Sequence, residues 1–125
     1  MSHPCQGRIV WVEVPDLQGR NPKKRPAVII SADKDIRPDG EVEIVCVTTE
    51  IGRSPPEECV ALPWHRAGHP RTKLKEESEA VCTWNLMIPV SAIREFGGLI
   101  PLPIYLSILQ KCKAIKSKQN PGTPP

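Results

Sequence analysis

Arg25-Pro26-Ala27-Val28-Ile29-Ile30-Ser31 opens with a guanidinium, passes a proline and runs through apolar residues, mostly β-branched, to a serine. Such a run reads as a buried strand, because β-branched side chains suit a pleated surface and lose little freedom there. Proline is tolerated at a strand's first position, where its missing N–H costs nothing. Two further stretches repeat the pattern, Gly7-Arg8-Ile9-Val10-Trp11-Val12 before it and Val45-Cys46-Val47-Thr48-Thr49-Glu50 after it. Each carries a polar group where the apolar run begins or stops. Arg25 marks the start of one strand and Thr48 the end of another.

Working outward, a first strand is predicted near Arg8 to Val14, followed by Pro15-Asp16 and a loop from Leu17 to Pro22 containing Gly19, Arg20 and Asn21. Asp39-Gly40 is a turn signal before Glu41-Val42-Glu43-Ile44-Val45, whose period-two alternation predicts a strand with one wet face. Ile51 to Glu58, with Gly52, Pro55 and Pro56, reads as a loop, and Cys59 to Pro63 as a strand. Trp64 to Glu77 has little apolar content and is expected on the surface. Strand character returns from Ser78 through Trp84, with a further strand or bend over Leu86 to Val90.

Ser91 is positioned to cap a short helix over Ala92 to Phe96, which Gly97-Gly98 would end. A second helix is predicted from about Pro103, with Ile104, Ile108, Leu109, Cys112 and Ile115 on one face and Lys111, Lys113 and Lys116 towards its negative end. Ser117 to Pro125 contains nothing to bury and is expected to be disordered, leaving residues 1–116 as a single domain and 117–125 as a tail. The fold class is α+β, mostly β: a bent antiparallel sheet with helix on one flank.

The 125 residues are enough to close one core without staples. A net charge of +3 with a pI near 8.7 permits an anionic partner without requiring one. Basic residues gather in two places, Arg20 with Lys23, Lys24 and Arg25, and Arg66 with Arg71, Lys73 and Lys75. Five cysteines, several inside apolar runs, point to free thiols in a reducing, cytoplasmic setting. No segment has the length of apolar sequence that a membrane span or signal peptide needs. Cys59, His65, His69 and Cys82 match no standard zinc spacing, so no metal is expected.

The order of these strands, with Arg25 and Thr48 as punctuation and Arg-Pro-Ala-Val-Ile-Ile-Ser at the centre, resembles the MazF/PemK family of toxin endoribonucleases. The resemblance extends over most of residues 7 to 112. It implies a compact SH3-like antiparallel barrel with a C-terminal helix packed on the sheet, a homodimer, and the toxin role in a type II toxin-antitoxin system. It also implies sequence-selective cleavage of single-stranded RNA without metal or cofactor, and a cognate antitoxin peptide that lies across the RNA site. The family uses an arginine and a threonine at the positions of Arg25 and Thr48.

RNA supplies its own nucleophile, the 2'-hydroxyl, so a protein needs only to align it with phosphorus and to handle protons and the growing charge. Arg25 suits the charge, since guanidinium offers two parallel donors to phosphate, and Thr48 adds a hydroxyl. His65, His69, Asp16 and Glu50 are the rivals for acid or base. Trp64, Arg71 and Asn85 are candidates for substrate contact. One departure stands out: Thr83 occupies the place of an acid that the family carries ahead of the position of Trp84, and Met87 falls where a basic residue is common. That departure supports an alternative, a non-catalytic SH3-like module that binds RNA or a peptide.

Overall fold

The computed structural model describes residues 3–119. Its strands are β1 (Arg8–Val14), β2 (Lys23–Ile29), β3 (Glu41–Thr48), β4 (Cys59–Leu62), β5 (Ser78–Pro89) and β6 (Ile93–Leu99), followed by one long helix, α1 (Leu102–Gln119). All pair antiparallel in one six-stranded sheet of order β4-β5-β3-β2-β1-β6. Short 3-10 turns at Asp33–Asp35, Pro56–Glu58 and Val90–Ala92 sit in the connections.

Both faces of this sheet are buried, which explains why its strands read as continuous apolar runs. The inner face, on the concave side of the bend, collects Val10, Val12, Val14, Ala27, Ile29, Val42, Ile44, Cys46, Val81, Trp84 and Ile88. The outer face carries Ile9, Val28, Ile30, Val45, Val47, Ala80 and Cys82 beneath Tyr105, Ile108 and Cys112 of α1. Tyr105 also donates its hydroxyl to the Ile30 carbonyl at 2.8 Å, fastening the helix to the end of β2. The wet face expected on β3 is therefore short. Glu41 is exposed and Glu43 half-buried, but Val45 and Val47 on that same side lie under the helix.

Register shifts mark the sheet at two places, in the β1–β6 ladder and in β5. The pairing of β5 with β3 jumps from Val45↔Asn85 to Val47↔Ala80, so extra residues of β5 loop out between the two registers. A bulge of this kind sharpens the local twist and re-aims side chains. The further strand or bend expected over Leu86 to Val90 is the second half of β5, one strand from Ser78 to Pro89 with its register shift across Cys82 to Trp84.

The sheet curls far without closing. Among the described residues no ladder joins the edge strands β4 and β6, so the expected barrel is an open one. What bridges the edges is the loop after β4, whose Thr72 carbonyl accepts a bond from the Gly98 N–H at 3.3 Å. That loop is better anchored than its composition suggests. Thr72 and Leu74 are buried, Thr72 Oγ1 donates to the Pro63 carbonyl at 2.7 Å, and the N–H groups of His65 and His69 both reach the Leu74 carbonyl at 3.0 Å.

The predicted helix over Ala92 to Phe96 is replaced by β6, because the segment completes the edge of β1 instead of turning on itself. Pro26 sits inside β2, opposite Trp11, and the pairing of β2 with β3 starts only at Ala27, so its missing N–H disrupts no bond there. Helix α1 begins where expected but continues to Gln119, three residues into the expected tail. The remainder of that tail, 120–125, lies outside the described residues. Among the described residues no helix is long and apolar enough to cross a membrane.

Candidate active site

In β2 and β3 the paired residues are Ala27↔Cys46, Val28↔Val45 and Ile29↔Ile44. Continuing that register for two residues beyond the last pair sets Arg25 opposite Thr48. Alternation puts both on the inner side, with Ala27, Ile29, Ile44 and Cys46, at the rim where the two strands part. Sequence separation hides this. The register of the neighbouring ladder brings the two to matching positions.

Arg25 is half-buried and held on three sides. Its Nε donates to the Val14 carbonyl at 3.2 Å and its Nη2 to the Asn21 carbonyl at 2.8 Å. Its Cζ lies 5.4 Å from the centre of the Trp84 ring, a cation–π distance. The two carbonyls engage Nε and one hydrogen of Nη2. Nη1 has no hydrogen-bond partner among the described residues. Its hydrogens are donors that the oxygens of a phosphate can accept.

Thr48 accepts the Glu50 N–H on Oγ1 at 3.0 Å, which shapes the turn after β3 and leaves its own hydroxyl hydrogen free to donate. Cys46 lies between Thr48 and the core. Burial pushes its thiol up to about 12, against a smaller opposing influence from Arg25, so it is a neutral apolar filler.

The acids do not pair with Arg25. Asp16 Oδ1 accepts the N–H groups of Gln18 at 3.0 Å and Arg20 at 2.8 Å, while Oδ2 accepts the Asn21 side chain at 3.1 Å. The bond from the Arg20 backbone holds its carboxyl below the usual carboxylate range, with the Asn21 and Gln18 bonds reinforcing it against partial desolvation. Glu50 pairs with Arg53 at 2.6 Å. Both are loop organisers here.

His65, His69, Trp64 and Arg71 lie in the edge-bridging loop, and no hydrogen bond or ion pair among the described residues links them to Arg25 or Thr48. His65 Nδ1 accepts the Ala67 N–H at 3.0 Å, and His69 Nδ1 accepts those of Arg71 at 3.1 Å and Thr72 at 3.3 Å. With Nδ1 so engaged, a neutral imidazole carries its proton on Nε2 and presents a donor outward. Trp64 is 43% exposed and Arg71 is exposed. Asn85 aligns with Val45 and so belongs to the helix-covered side, away from the Arg25 rim. Thr83 bonds Glu58 at 3.4 Å and Met87 is exposed. Among the described residues no group of three or more His, Cys, Asp or Glu side chains is arranged so that it could hold a metal ion.

Two contributors escape sequence reading. Asn21, in the left-handed region at φ 52, turns its carbonyl onto Arg25, and Trp84 places its ring against the same guanidinium. Asn21 had a signal, since asparagine tolerates that conformation in a loop. Trp84 had none pointing to Arg25.

The family model described as PemK-like, MazF-like toxin of type II toxin-antitoxin system matches residues 5–115. No curated protein matches the chain. Among solved structures, the chain is similar to MazF of Deinococcus radiodurans, with a TM-score of 0.72 at 18% identity over 94% of this chain and 99% of that one. A MazE-MazF complex from the same organism gives 0.66 at 18% identity over 93% and 97%. A mycobacterial endoribonuclease solved with its cognate antitoxin gives 0.69 at 14% identity over 91% and 95%. At these identities the likeness establishes a shared fold.

Proposed function

The chain belongs to the family of PemK-like, MazF-like toxins of type II toxin-antitoxin systems, and on that premise we propose that it is a sequence-selective endoribonuclease cleaving single-stranded RNA by attack of the RNA's own 2'-hydroxyl. The observation that carries this reading is the guanidinium of Arg25, held through Nε and Nη2 with Nη1 unengaged among the described residues, at the register position that matches a threonine whose hydroxyl hydrogen also has no acceptor there.

In that arrangement the unengaged donors of Arg25 take non-bridging oxygens of the scissile phosphate. Thr48 donates to the same group. Charge grows on those oxygens as the 2'-oxygen closes on phosphorus, so donors aimed there are worth more in the transition state than in the ground state. Arg25 also stands ready to assist the departing 5'-oxygen as a donor. The 2'-proton leaves to solvent at this open rim, since Asp16, Glu50 and Nδ1 of both histidines are otherwise engaged. The substrate brings the nucleophile, so the reading calls for no metal or cofactor.

The partners follow from the same surface. The cognate antitoxin is an acidic or amphipathic peptide that covers the Arg25 rim, and the working form is a cytoplasmic homodimer. Solved MazE-MazF complexes of the same fold support the antitoxin partner.

The test is cleavage of mixed-sequence RNA in EDTA by the purified protein, its Arg25→Lys form and its Thr48→Ala form. Arg25→Lys exchanges a fork for a point charge and is expected to lower kcat by about 10²-fold, with a smaller loss for Thr48→Ala. Intact RNA with the wild type, despite retained RNA or peptide binding, would establish the binding module in place of the enzyme.

A further inference from the structure

We infer that Trp84 is a positioning residue for the proposed cleavage: its ring, rather than a carboxylate, holds the Arg25 guanidinium with its charge and its outward donors intact. The inference rests on the ribonuclease reading for its consequence, but its geometry stands separately. The Trp84 ring centre is 5.4 Å from Arg25 Cζ, and among the described residues no carboxylate forms an ion pair with Arg25.

The distinction matters for an anionic substrate. A carboxylate partner would take up the guanidinium's N–H donors and cancel its charge, so phosphate would have to displace it. An aromatic face attracts the cation through its quadrupole and takes no N–H in the guanidinium plane. Arg25 can then be fixed while remaining a full cation. The residue beside the ring, where an acid was expected, is Thr83, and it turns instead to Glu58 at 3.4 Å.

The fold supplies the ring's placement. The register jump in β5 falls across Cys82 to Trp84, and it aims Trp84 into the inner core with Val81, whereas Cys82 faces α1. Trp84 is only 7% exposed, and its Nε1 is buried with no hydrogen-bond partner. The missing bond also gives a clean experiment, because Trp84→Phe removes no hydrogen bond.

The experiment compares Trp84→Phe, which keeps an aromatic face, with Trp84→Leu and Trp84→Met, which keep apolar volume only, in the full chain. Three readouts are kcat and KM for RNA cleavage, the melting temperature, and the Arg25 Nε–H resonance of nitrogen-15-labelled protein. In the wild type that resonance is expected to carry a ring-current shift, assigned by its loss in Arg25→Lys. Trp84→Phe should stay within about threefold of wild-type kcat, while whichever of the Leu and Met forms folds loses roughly 5- to 30-fold, mainly in kcat, together with the shift. A folded Leu or Met form with wild-type kcat, or an unshifted Arg25 resonance in the wild type, would overturn the inference. Should the wild type cleave no RNA, the ribonuclease reading falls while the resonance still decides whether Trp84 positions Arg25.

Discussion

Asp16 illustrates how a residue can matter to a site without touching its substrate. Its two carboxylate oxygens gather the Gln18 and Arg20 backbone N–H groups and the Asn21 amide, and that fold of the loop brings the Asn21 carbonyl to Arg25. Asp16→Ala is expected to leave the melting temperature nearly unchanged, to loosen amide protection in residues 17–22, and to lower cleavage several-fold, read by hydrogen exchange and single-turnover kinetics. Because the folded loop favours the charged form, its contribution is fully present above the ordinary value of 3.8 and is lost as pH falls through the lowered folded value. Loop protection should therefore be flat from neutral pH down to about 5 and fail only in more acid solution. The closeness of Asp16 to Arg25 was visible along the chain, but whether it served as a base, an ion-pair partner or a loop clamp depended on which donors converged on it. Arg25 and Thr48 were legible as polar residues at opposite ends of apolar strands. Their matching positions in the β2–β3 register were not.

Gly98 carries the lesson at the level of elements. Gly97-Gly98 after a short apolar segment has the form of a helix stop, yet both glycines lie in β6. A Cβ at Gly98 would overlap the Arg71 carbonyl, and one at Gly97 would come within 3.1 Å of the Ile9 carbonyl. These glycines are there because other backbone passes close by, not because a helix ends. Gly98→Ala should push the edge-bridging loop away from β6 and destabilise the fold by about 1–3 kcal/mol, measured by urea unfolding. The local cap rule had no access to a contact made by a loop so much earlier in the chain. The same blindness applied to β5, where a bulge looks in sequence like two separate strands. β1, β3, β4 and α1 were legible almost to the residue at their N-terminal ends, because their apolar pattern and their turn residues agree.

Across the whole molecule, the sheet has two cores, one inside its bend and one beneath α1. Ile108 is fully buried in the second. Ile108→Ala is expected to cost about 2–5 kcal/mol in thermal or urea unfolding, because it sits in the cluster through which α1 covers β4 and β5. By itself the amino-acid order determined the class of fold, most strand positions, the terminal helix with its apolar face, and the two polar residues that interrupt apolar runs. These are properties of nearest neighbours, set by side-chain shape and by periods of two and 3.6 residues. Tertiary structure alone decided that the sheet stays open at its edges, that the register of β2 and β3 matches Arg25 to Thr48, that the histidines belong to a bridge between edges, and that an indole ring lies against the guanidinium. Each depends on register, bulge or loop closure between distant segments, where the free energy of the choice comes from contacts that no local stretch contains.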